Sequence, residues 1–158
     1  MIRDIDLWLE NYAALSGGDK NAPGAGAAGG MGYAFMTYLG GKLQNGIELI
    51  LRETGIENHI KDADFVITGE GRLDSQTVMG KAPIGVAKIA KKYGIPVIAF
   101  SGCVTKDAIS CNEHGIDAFF PILRSVVSLE EALDEDSAYT NLSDTAEQVF
   151  RIISIYKK

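Results

Sequence analysis

With 158 residues, 46% of them apolar and 23% charged, the chain has the length and make-up of one globular domain with a real core. A formal charge of −6 without any Lys/Arg stripe disfavours phosphate-backbone binding, so no nucleic-acid partner is expected. No apolar run nears the roughly 18 residues of a membrane span. The start, MIRDIDLWLE, is acidic where a secretion signal is basic, so a cytoplasmic protein without a membrane partner is the expectation.

Ile2, Ile5, Leu9, Tyr12 and Leu15 recur at helical spacing over residues 2–15, and SGGDKNAPGAG then breaks the pattern. A second helix is predicted from about Ala27 to Leu39. It is apolar nearly all round (Ala27, Ala28, Met31, Tyr33, Phe35, Met36, Tyr38, Leu39), which predicts burial. Residues 46–54 and 56–61 read as short helices.

From Asp64 the pattern changes. DFVIT, PVIAFS (96–101) and DAFFPI (117–122) read as strands. Helices are predicted between them, from Pro83 to Tyr93 and from Lys106 to His114, each followed by a glycine (Gly94, Gly115) suited to a left-handed closing residue. This alternation implies a parallel sheet with right-handed crossovers. Ser128 and Glu131 have capping-box spacing. A last helix over 143–156 repeats Ala146, Val149, Phe150, Ile153 and Tyr156 on one face, and the terminal YKK reads as a solvated helix end.

The expected fold class is therefore α/β, a parallel sheet of about three recognisable strands with flanking helices. A helical segment with a Gly/Ala-rich motif spans 1–62, and a Rossmann-like α/β segment spans 63–158. Three strands are few, since sheets usually have about five or six and parallel ones need cover on both faces. Either weak strands go unseen or the sheet is completed from outside this chain.

The stretch TGEGRLDSQTVMGKAP, residues 68–83, carries the chemistry. Pro83 marks a helix start and so places residues 69–82 in a loop at the carboxyl end of the first strand, where open α/β sheets bind ligands. Ordinary connections of this kind take only about 2–6 residues. Lys81 stands just before a helix terminus whose unpaired N–H groups suit an anion. Glu70, Arg72, Asp74, Ser75, Gln76 and Thr77 bring both charges and hydroxyls to the same loop. Gly69, Gly71 and Gly80 allow tight turning or close approach, and Ser101 and Gly102 end the neighbouring strand. A small anionic ligand is the expectation, and the alternative is a set of loop-internal ion pairs with a solvated Lys81. The loop is not a Walker A motif, since Ala82 follows GK and no Gly stands five residues before Gly80.

GAGAAG (24–29) matches G-x-G-x-x-G in letters but follows DKNAP rather than a strand. Close packing of a buried helix and anion binding at its start both remain open for it. Cys103 and Cys111 have neither disulfide nor zinc spacing and read as buried thiols. His59 and His114 lack neighbours for a metal or a triad.

PGAGAAGGMGYAF, NGIELIL, ADFVITGEGRLDSQTVMGKAPIGVAKIAKKYGIPVIAFSG and DTAEQV together resemble the bacterial type I glycerate kinase family, across nearly the whole chain and in family order. The resemblance implies a two-domain α/β enzyme that transfers phosphate from ATP to D-glycerate with magnesium. It also implies that this chain is the carboxyl-terminal two-fifths or so of such an enzyme. The family's amino-terminal strand, its Asp-Ser-Phe-Lys-Gly loop and its central region are absent here, so the chain alone is expected to be inactive.

Carried over by residue, the resemblance marks Gly69, Glu70, Gly71, Arg72, Asp74, Gln76, Thr77, Gly80 and Lys81 as the motif facing the cleft, with Gly24, Gly26, Gly29 and Gly30 as a second motif. Asp74, Lys81 and Arg72 are the expected catalytic residues, and Glu70 and Asp74 the expected magnesium ligands. Gly69, Glu70, Gly71, Arg72, Ser75, Gln76, Thr77 and Ser101 are expected to bind substrate. Gly24, Gly26, Gly29, Gly30, Gly80 and Lys81 are expected to bind phosphate. Expected partners are D-glycerate, ATP, and either the missing amino-terminal part or a second copy of the chain. The competing reading is a non-catalytic anion-binding module, or a structural half that joins a separate amino-terminal chain.

Overall fold

The structure is a computed structural model that describes residues 2–156, with side chains described over 6–155. The expected roles of the Ile2, Ile5 and Tyr156 side chains and of Lys157 and Lys158 fall outside the described residues. The chain forms two compact units, Met1–Asn45 and Gly46–Lys158.

In the first unit, helix α1 (Ile2–Ser16) leads through a glycine-rich turn to α2 (Ala27–Leu39). Tyr33 holds the turn. Its hydroxyl shares a 2.6 Å hydrogen bond with Ser16 Oγ and accepts from the Gly18 N–H at 2.9 Å, while its N–H donates to the Ala25 carbonyl. Hydrogen bonding by Ser16 is the main cause of a phenol pKa below the ordinary value. Ala13, Ala25 and Tyr33 form the small core, with Met36 against it.

The structure corrects two expectations for α2. Ala28, Gly29 and Gly30 adopt left-handed φ of 51°, 67° and 96°, so the regular helix begins only after them. The helix is also not buried all round, because Met31, Phe35, Tyr38 and Leu39 are exposed. Among the described residues of this unit, α1, the turn and Leu43 lie against it and leave those side chains uncovered.

In the second unit, α3 (Gly46–Glu53) and α4 (Glu57–Ile60) precede β1 (Val66–Leu73). Then follow α5 (Ala82–Lys92), β2 (Val97–Val104), α6 (Ser110–Glu113), β3 (Ala118–Pro121), α7 (Leu129–Ala132) and α8 (Glu135–Tyr156). The three strands form one parallel sheet in the order β1-β2-β3. Among the described residues no further strand joins it, so no weak strand escaped the sequence reading.

The core beside the sheet is built from Ile60, Val66, Leu73, Ile84, Ala87, Ala90, Val97, Ala99, Ala108, Cys111 and Ile116. Helix α5 supplies small residues toward the strands and packs α3 close: a Cβ on Gly85 would sit 2.7 Å from Ile47. Gly94, at φ 69°, closes α5, and the next N–H, of Ile95, returns to the Ala90 carbonyl. Gly115 at φ 102° ends α6 in the same way, with Ile116 N–H on Cys111.

Several boundaries differ from expectation for identifiable reasons. The predicted helix 106–114 is a 3₁₀ turn, Lys106–Ile109, followed by the single turn α6. Ser128 Oγ does accept the Glu131 N–H at 3.1 Å, but α7 stops after one turn. Helix α8 starts well before Ser143, because the Asp134 carboxylate accepts the Ser137 N–H at 2.9 Å and caps it there. Cys111 is buried but Cys103 is exposed. β2 has by then run past β3, whose pairing ends at Ser101↔Pro121, and no third strand covers it.

Candidate active site

β1 and β2 both continue beyond their predicted ends. Their register runs through Glu70↔Ser101 and Arg72↔Cys103 to Leu73↔Val104. Gly69, Glu70, Gly71 and Arg72 are therefore strand residues, and the connection to α5 is residues 74–81, not 69–82. Glycine makes the extension possible. A Cβ on Gly102 would lie 2.7 Å from the Gly71 carbonyl oxygen, and one on Gly69 would collide with that of Phe100. Gly69→Ala is accordingly expected to lose about 1–3 kcal/mol, the usual cost of overpacking. A urea melt checks this, and an unchanged midpoint would show that the two strands simply part to admit the methyl.

The shortened connection gathers four charges. Lys81 Nζ lies 3.6 Å from both Glu70 Oε2 and Asp74 Oδ1, and Arg72 Nε lies 3.4 Å from Asp74 Oδ2. The carboxylates are mostly covered, at 18% and 17% side-chain exposure, whereas Lys81 is 40% and Arg72 64% exposed. Arg72 is thus the outer, more easily displaced cation.

Thr77, fully buried, organises the acids: its hydroxyl donates to Glu70 Oε1 at 2.5 Å and accepts the Asp74 N–H at 3.2 Å. Asp74 Oδ1 accepts the Gln76 N–H at 2.9 Å, and the Asp74 carbonyl accepts that of Thr77. Gly80, at φ 102°, turns the chain into α5, where Pro83 follows Ala82 in the first turn.

Other expected site residues have different settings. Ser101 is buried; its hydroxyl accepts the Leu73 N–H at 3.0 Å and donates to the Cys103 carbonyl at 2.7 Å. Ser75 and Gln76 are exposed. Gly24, Gly26, Gly29 and Gly30 belong to the first unit, where the last three border a hollow of about 360 Å³ with Lys20, Tyr12 and Tyr33. A second concavity, of about 420 Å³, opens at the carboxyl end of the sheet over Thr68, Gly69, Glu70, Ser101, Gly102 and Ile122. Glu70 joins it to the charge cluster; Arg72, Asp74 and Lys81 are not among its lining residues.

Two residues outside the sequence expectations belong to the same construction. Asp107 Oδ2 accepts the Ser75 N–H at 3.1 Å, and Asp107 Oδ1 accepts the Thr105 hydroxyl at 2.5 Å. Hydrogen bonding from Ser75, then from Thr105, holds the Asp107 carboxyl well below the usual carboxylate range. The signal that points to them is a Thr-x-Asp directly after a strand that must lie beside the first. Behind the cluster, burial raises the Cys111 thiol pKa, and the carboxylates of Glu70, Asp74 and Asp107 raise it further.

Among the described residues, no group of three or more His, Cys, Asp or Glu side chains is placed to hold a metal. Glu70 and Asp74 still match what magnesium commonly uses, one or two carboxylates with substrate phosphates and water completing the shell. The pair fits a cation shared with a substrate, not one caged by protein alone.

A family model described as the glycerate kinase family matches residues 1–154. The chain belongs to the glycerate kinase family. Glycerate 2-kinase of Escherichia coli (strain K12) is 46% identical over 98% of this chain and 42% of its own length. Glycerate kinase of Bacillus subtilis (strain 168) is 45% identical over 99% of this chain and 42% of its own. A crystal structure from Salmonella typhimurium LT2 that carries the name glycerate kinase 2 superposes with a TM-score of 0.63. It is 43% identical, with 85% of this chain and 33% of that one covered. This glycerate kinase segment spans about two-fifths of the length of the curated relatives it matches, and corresponds to their carboxyl-terminal part. No helix among the described residues is long and apolar enough to cross a membrane.

Proposed function

We propose that this chain is the carboxyl-terminal portion of a cytoplasmic glycerate kinase that phosphorylates D-glycerate with ATP, and that it supplies charged residues of the active site without being active alone. The observation that carries the reading is Lys81 held between Glu70 and Asp74 beside an open pocket at the carboxyl end of a parallel sheet. Phosphoryl transfer asks a protein chiefly for positioning and charge neutralisation. Lys81 and Arg72 supply positive charge for the glycerate carboxylate or the phosphate oxygens.

Asp74 Oδ2, opposed by the exposed Arg72, accepts the proton of the attacking glycerate hydroxyl. The glycerate hydroxyl oxygen bonds to the terminal phosphorus of ATP as the phosphorus–oxygen bond to ADP breaks, and the electron pair of that broken bond leaves with ADP. Glu70 and Asp74 would hold magnesium, which when bound neutralises phosphate charge. Gly80 bends the backbone beside Lys81 at the entry to α5, and the phosphate role given to Gly24, Gly26, Gly29 and Gly30 is supported by the hollow that the last three border in the first unit.

The family membership supports the kinase reading, and the 42% coverage of the relatives supports the need for a further part. A coupled ADP assay tests both. The chain alone, with ATP, magnesium and D-glycerate, is expected to show no glycerate-dependent ADP release. A full-length enzyme carrying it is expected to release ADP and form phosphoglycerate. Turnover by the chain alone would contradict the claim of incompleteness, and a full-length enzyme indifferent to glycerate would contradict the substrate.

A further inference from the structure

We propose that Asp107 is a positioning residue for Asp74, its carboxylate tying the turn after β1 to the end of β2. β1 and β2 end in step at Leu73↔Val104. Just beyond, Thr105 donates its N–H to the Leu73 carbonyl at 3.0 Å, with its hydroxyl 3.1 Å from the same oxygen. The hydroxyl lies closer to Asp107 Oδ1, at 2.5 Å, and the other oxygen of Asp107 takes the Ser75 N–H at 3.1 Å.

Asp74 is therefore gripped on both sides, through the carbonyl of the residue before it and the amide of the residue after it. Its own N–H, carbonyl and Oδ1 are occupied by Thr77 and Gln76. Every backbone polar group that sets the direction of Asp74 has a partner. Asp107 lies thirty-two residues beyond Ser75, so this tie exists only in the folded sheet. Both carboxylate oxygens of Asp107 are taken by Ser75 and Thr105, which makes it a support for Asp74 rather than a contact of the substrate.

The catalytic consequence rests on the role given to Asp74 above; the tie itself does not. Amide hydrogen exchange on this chain tests the tie. Asp107→Ala is expected to speed exchange at Ser75 by at least about tenfold, the scale of a lost hydrogen bond to a charged group, while the β1–β2 ladder exchanges as before. Asp107→Asn, which keeps one acceptor, is expected to fall between. Unchanged exchange at Ser75, or equal acceleration along the whole ladder, overturns the tie.

In a full-length glycerate kinase carrying this segment, Asp107→Ala is expected to lower kcat at least about tenfold with KM moved less than about threefold, and Asn to recover part of kcat. Faster Ser75 exchange with normal kcat overturns the positioning role. Should Asp74→Asn itself leave turnover intact, the function assigned to Asp74 falls, and the exchange experiment still decides whether Asp107 holds the turn.

Discussion

Asp74→Asn, in a full-length glycerate kinase carrying this segment, is expected to lower kcat by at least about tenfold, the weak end of the range for losing a general base. The amide conserves shape, and its oxygen still accepts the Gln76 N–H, so the turn survives the change. What disappears is the negative charge that faces Lys81 at 3.6 Å and Arg72 at 3.4 Å, together with the proton acceptor proposed above. Steady-state kinetics with D-glycerate varied at saturating ATP, alongside a circular dichroism spectrum matching the parent, separates chemistry from folding. Parent-like kcat would remove Asp74 from the mechanism.

Leu73→Ala costs about 2–5 kcal/mol, the range for truncating a buried leucine, out of a total domain stability of roughly 5–15 kcal/mol. Leu73 has no exposed surface and sits in the core cluster with Ile84, Ala87, Ala108 and Cys111. Its backbone is equally committed, the N–H to Ser101 Oγ and the carbonyl to Thr105. The cavity would open beneath the residue that introduces Asp74, so the site loosens along with the core. A urea midpoint that falls without a change in slope reads the loss directly. A loss below about 1 kcal/mol would show that α5 and β2 collapse onto the gap.

The order of strands and helices was legible because it rests on short-range rules. Apolar runs marked β1, β2 and β3, Pro83 marked the start of α5, and Gly94 and Gly115 marked helix ends at the left-handed φ the structure gives them. The extent of β1 was not legible. GEGRL is too polar and too rich in glycine to read as a strand, and it becomes one only because β2 lies alongside and Gly102 lacks a side chain that would keep the two backbones apart at Gly71. The start of α8 was missed because Asp134, rather than an apolar stripe, sets it.

The candidate site divides in the same way. That Glu70, Arg72, Asp74 and Lys81 form one group could be anticipated from their shared stretch of chain. That Thr77 and Ser101 turn inward and spend their hydroxyls on internal partners could not, since Ser and Thr read alike whether they meet water, ligand or backbone. Nor could the burial of α2 be judged, because its composition promised an interior setting that its own unit does not provide.

By itself, the sequence determined the α/β class, the parallel order of elements, the family and the charged stretch, since each is written in neighbouring residues or in a long motif. The tertiary structure alone decided where β1 stops, which hydroxyls serve as supports, and that Asp107 reaches back to Ser75. The physical reason is that a strand ends where its partner stops pairing, and a carboxylate finds an amide thirty-two residues away only once the sheet has brought the two chain segments together.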